Sequence, residues 1–67
     1  MSSLERAMVR HIARTAYNSR VRRYGTARAE MEARAQATAF IADLQDAEWQ
    51  ALLQRDLDEF LAEQQAK

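Results

Sequence analysis

The sequence predicts an all-α chain of three helices, the last two forming a hairpin behind a basic N-terminal helix. A second copy is expected to complete it into a dimeric helical bundle. Three observations carry this reading. The 67 residues contain no proline and a single glycine, Gly25. Alanine, leucine, glutamine and charged residues dominate, all good helix formers. Apolar residues recur at i, i+3, i+4 and i+7, the period of an amphipathic helix.

The second copy follows from the thinness of the core. Fourteen of the hydrophobic residues are alanines, and besides Met1 only 17 larger apolar side chains remain. Chains this small reach stability through disulfides, a metal or oligomerisation, and cysteine is absent. Self-association is the remaining supplement.

Helix one is expected over residues 3–18 or 3–23. Ser2 with Glu5 three residues later fits a capping box, and Ser3 is the next candidate cap. At 100° per residue Leu4, Met8, Val9, Ile12 and Ala16 share a face, while Arg6, Arg10 and Arg14 form an i, i+4 ladder on another. Tyr17, Val21 and Tyr24 project on the arginine side. Either the helix breaks near Asn18 and Ser19, or it continues and presents two apolar faces. Gly25 suits the left-handed position after a helix end, and Thr26 suits the next N-cap.

Helix two is expected over residues 27–44. Its stripe runs Ala29, Ala33, Ala37, Phe40, Ile41, Leu44, small residues first and bulky ones last. The alanine seam lets a neighbouring helix approach closely at the Thr26 end. Helix three is expected over residues 47–64, with Trp49, Leu52, Leu53, Leu57, Phe60 and Leu61 on its stripe, Asp46 as N-cap and Glu48 in the first turn. No Gly or Pro separates the last two helices. Their stripes differ by about 160° when projected on one helix, so a bend is expected at residues 43–46.

Charge is distributed unevenly. Residues 1–29 hold seven arginines and one acid, Glu5, whereas residues 30–67 hold nine acids and three basic groups. Such an imbalance within a chain of zero net charge points to a nucleic-acid-binding arm or to two mutually neutralising surfaces. Nine arginines to one lysine, among abundant alanine, is also what a GC-rich genome writes when it needs a cation. Arginine in preference to lysine therefore says little about phosphate recognition.

Several chemistries find no support. Without cysteine there is no thiolate metal site or Cys nucleophile. His11, the single histidine, has Met8 where a Glu-x-x-His motif needs its acid, so it is read as a solvent-edge residue. Asp56, Asp58, Glu59 and Glu63 lack the glycine and ligand spacing of a calcium loop. They read as a solvated helical face, with Arg55 and Glu59 spaced for an i, i+4 pair. Trp49 is read as a core or interface residue whose N–H needs a partner. No enzyme activity, cofactor, metal or small-molecule substrate is expected. No apolar run reaches the roughly 20 residues that span a bilayer, and a cytoplasmic location is expected. Residues 1–25 also resemble a mitochondrial presequence in being Arg-rich and acid-poor, but their removal would leave a two-helix fragment with little core.

The basic segment is the functional candidate. Arg6, Arg10, Arg14, Tyr17, Arg20, Arg22, Arg23 and Tyr24 are the expected partner-facing residues. Leu4, Met8, Ile12, Phe40, Ile41, Leu44, Trp49, Leu52, Leu53, Leu57, Phe60 and Leu61 are the expected core or interface. The leading reading is a small adaptor or accessory protein of bacterial or phage origin that binds protein, itself included. The alternative is a DNA- or RNA-binding regulator, since arginines on a helix contact phosphates and tyrosines stack on bases. A third reading lays helix one on an anionic membrane surface, Leu4, Met8 and Ile12 inward; the lack of an aromatic residue before Tyr17 counts against it.

Overall fold

The computed structural model describes residues 3–66. They form three helices and no strand: α1 (Ser3–Tyr24), α2 (Thr26–Ala42) and α3 (Ala47–Ala66). The chain runs up, down and up again, so α1 and α3 are parallel and α2 is antiparallel to both.

Helix α1 continues through Asn18 and Ser19 to Tyr24. Ser19 turns its Oγ back to the Ala16 carbonyl at 3.0 Å, and an Arg20 guanidinium nitrogen meets the same oxygen at 3.3 Å. Local side-chain bonds of this kind tolerate a helix rather than ending it. The helix therefore uses both apolar faces, with Val9, Ala13 and Ala16 on one and Tyr17 and half-buried Val21 on the other. The proposed cap at Ser2 lies outside the described residues.

One residue, Gly25, joins α1 to α2. Its N–H donates to Val21 O at 3.0 Å, closing α1, and its carbonyl accepts from Ala29 N at 3.1 Å, opening α2. The N-cap is therefore Gly25 and not Thr26, and no side chain caps the helix. Gly25 adopts φ 87°, ψ 171°, an extended positive-φ conformation reserved for glycine, instead of the expected left-handed helical one. A Cβ there would meet nothing within 4 Å, so the need for glycine is wholly conformational.

The bend falls where the stripe mismatch puts it. Helix α2 stops at Ala42, two residues earlier than expected, and α3 starts at Ala47. Asp46 Oδ1 accepts from Glu48 N at 3.0 Å and Trp49 N at 3.1 Å, an N-cap. Gln50 Nε2 sits among the carbonyl oxygens of Ile41, Ala42 and Leu44 and satisfies the end of α2.

The core is built in two styles. Between α1 and α2, Ala13, Ala16, Ala29, Ala33 and Ala37 are all buried, and these two helices are the closest-packed pair. On the α3 side the volume is filled by Leu53, Leu57, Phe60 and Leu61, with Ile41 and Val9 beside them. Ile12, Phe40, Leu44 and Trp49 pack half-buried at its margin. Leu4, Met8 and Leu52 do not join the core: they are 67%, 40% and 49% exposed. The α1 stripe is rotated towards Val9, Ala13 and Ala16, because only alanines admit α2 so closely, and this carries Leu4 and Met8 outward.

Candidate interaction surface

The arginine ladder of α1 does not face solvent alone. Arg10 holds Asp56 of α3 in a two-point grip, Nε to Oδ2 at 3.0 Å and a terminal nitrogen to Oδ1 at 2.9 Å. Arg6 adds a third bond to Oδ1 at 3.3 Å. Asp56 is only 7% exposed, which corrects its reading as part of a solvated face. Burial disfavours a carboxylate, yet the hydrogen bond from Arg10, aided by that from Arg6, holds the Asp56 carboxyl below its ordinary value. The same bond raises Arg10 above the usual guanidinium value. Arg10 and Arg14 also lie over the Phe60 ring, 5.9 and 5.7 Å from its centroid. Two of the three ladder arginines are thus committed to an acid within the chain.

Glu5 is committed as well. Its Oε2 accepts the Trp49 indole N–H at 2.9 Å, providing the partner a half-buried tryptophan needs. Arg34 bonds Asp58 and, at 3.1 Å, Glu30. Those bonds, the one to Asp58 foremost, raise its guanidinium too. Arg55 and Glu59, expected to pair, form no ion pair in the described structure.

The second half of the predicted surface divides. Tyr17 is buried at 6% exposure, so it is a core residue and not a partner-facing one. It lies seven residues beyond Arg10, on the side of α1 that leans on α3. Arg20 and Arg28 share Glu32 at 4.0 and 3.7 Å. Tyr24 remains exposed, with the Arg28 guanidinium 5.5 Å from its ring centroid. Arg22 and Arg23 are exposed and, among the described residues, pair with no acid. The basic surface left to a partner is the α1–α2 corner around Arg22, Arg23 and Tyr24.

His11 is exposed beside an open groove that Ile12 and Gln36 also line. Among the described residues no three His, Asp or Glu side chains converge as metal ligands, and no helix is long and apolar enough to cross a membrane. No protein-family model, curated protein or solved structure matches the chain.

Proposed function

We propose that the chain is a non-enzymatic helical interaction module, a small cytoplasmic adaptor or accessory protein of bacterial or phage origin that binds other proteins, including a second copy of itself. The supporting observation is the inward commitment of Arg6 and Arg10 to Asp56. A nucleic-acid-binding helix would keep such a ladder free for phosphates. Each phosphate contact contributes through counterion release, so a binder needs several at once. With Arg20 and Arg28 drawn to Glu32, the corner offers Arg22 and Arg23 as uncommitted charges. A chain of zero net charge provides no long-range attraction to compensate.

The test is a titration with a generic duplex and a single strand at low and at about 0.15 M salt. Binding is expected to be feeble at low salt and absent at the higher concentration. Submicromolar binding at the higher salt, falling steeply as salt rises and weakened by Arg22→Gln with Arg23→Gln, would establish the nucleic-acid reading instead.

A further inference from the structure

The two ends of the bundle carry opposite charge. At the α1–α2 corner stand Arg20, Arg22, Arg23 and Arg28, with Glu32 held between Arg20 and Arg28. Exposed Tyr24 lies among them. At the opposite end, about 25 Å away along the 17 residues of α2, the α2–α3 turn presents Asp43, Asp46 and Glu48, all exposed. The bond between Glu5 and Trp49 ties the start of α1 to the same end. That end also has an apolar centre: exposed Leu4, and a cavity of about 100 Å³ lined by Arg6, Trp49, Leu52 and Leu53. Asp43 and Glu48 form no ion pair among the described residues, and neither do Arg22 and Arg23. The molecule, 35 Å long and 16–20 Å across, is therefore a rod with complementary ends and no net charge to keep copies apart.

The geometry points to a second copy of this chain as the occupant of the basic corner: Arg22, Arg23 and Tyr24 of one copy dock on the Asp43–Glu48 end of the next. This deepens the interaction-module reading and rests on it. The contact is heterologous, since the two docking surfaces differ. Such contacts close into a ring of three or more copies or run on as a filament. A face-to-face dimer through Leu4 and Met8 would behave otherwise, with a limiting mass of two chains and little response to salt.

Sedimentation equilibrium over a wide concentration range tests this, with circular dichroism confirming that each variant is folded. The weight-average mass should climb beyond twice 7.7 kDa as concentration rises. It should return to that of one chain near 1 M salt, where the screening length is about 3 Å. Arg22→Glu with Arg23→Glu should lower the association constant at least tenfold, as should Asp43→Lys with Glu48→Lys. Combining all four substitutions restores net neutrality and reverses both ends, and association should return. A chain that stays monomeric throughout, a mass that levels off at two chains whatever the salt, or a fourfold variant that fails to reassociate would overturn the inference. Monomeric behaviour without nucleic-acid binding would remove self-association and leave the capture of other proteins standing. Nucleic-acid binding would remove that reading whatever the mass.

Discussion

The α1–α2 and α1–α3 interfaces are made of different materials, although one helix contributes to both. Against α2, helix α1 offers Ala13 and Ala16 to Ala29, Ala33 and Ala37, all at most 3% exposed. Against α3 it offers the Arg6–Arg10–Arg14 ladder, which meets Asp56 and Phe60. Small side chains bring the α1 and α2 backbones together and leave no room for anything long. The wider α1–α3 gap needs leucines in its centre and arginine stems over its edge, where the guanidinium heads still reach water. Close packing thus keeps charge out of the alanine centre of one seam, leaving only the Arg20–Glu32 pair near its end, and looser packing recruits charge into the other.

The largest effects should come from removing volume at the wide seam and adding it at the narrow one. Leu57 is fully buried, and Leu57→Ala should cost about 2–5 kcal/mol, as should Leu53→Ala. For a domain whose total stability is of order 5 kcal/mol, urea denaturation of either variant should find the transition at or near zero denaturant. At the narrow seam the opposite substitution is the harmful one. Ala33→Leu should cost about 1–3 kcal/mol by overpacking, and Leu53 or Leu57 truncation should not rescue it. Parent-like melting of Ala33→Leu would mean that the two helices are not held by their alanines.

Most of the fold was legible because periodicity is a local property. The three helices, the Gly25 junction, the Asp46 cap and the bend at residues 43–46 all follow from spacing and residue type within a few positions. What was not legible is which face of α1 meets which neighbour. Leu4, Met8 and Val9 are equally apolar on a helical wheel, and only the arrival of α2 on the alanines sends two of them outward. The role of Asp56 does have a signal in the sequence. It stands seven residues after Trp49 and four before Phe60, inside the apolar stripe of α3, where a lone acid requires a cation. The ladder on α1 supplies it. Tyr17, similarly, stands three residues after Arg14 and seven after Arg10, which both turn towards α3, whereas Arg20 turns to Glu32 of α2.

Asp56 allows the charged seam to be tested by acid. Its folded-state carboxyl titrates below the ordinary 3.8, so ionisation stabilises the fold. That stabilisation is fully present above the unfolded value and disappears as the pH falls through the depressed folded one. The midpoint of thermal unfolding should lose this contribution below about pH 4. Asp56→Asn should cost about 1–3 kcal/mol at neutral pH, the usual range for an imperfectly satisfied buried group, and it should flatten the acid limb. Ala33→Leu should lower stability by a similar amount and leave that limb unchanged. An Asp56→Asn variant as acid-labile as the parent would place the critical carboxylate elsewhere.

The smallest effect distinguishes the members of the ladder. Arg14 shares the spacing of Arg6 and Arg10, but its observed contact is the Phe60 ring at 5.7 Å and not the Asp56 carboxylate. An exposed cation over an aromatic face contributes about 0.5–1 kcal/mol, and glutamine keeps part of the stem that covers the ring. Arg14→Gln should therefore lie at the lower end of that range. Its acid limb should match the parent's, because no bond to Asp56 is lost. Arg10→Gln removes two of the three bonds to a buried carboxylate and leaves it to Arg6, which is 58% exposed along its side chain. It should cost clearly more than Arg14→Gln at neutral pH, and that excess should shrink in acid, where protonated Asp56 no longer benefits from Arg10 in the parent either. Denaturant midpoints of the two variants at pH 7 and well below pH 4, where the Asp56 contribution is lost, decide the matter. Equal losses at both pH values would mean that the ladder acts as one diffuse charge, and that its grip on Asp56 is incidental to the seam.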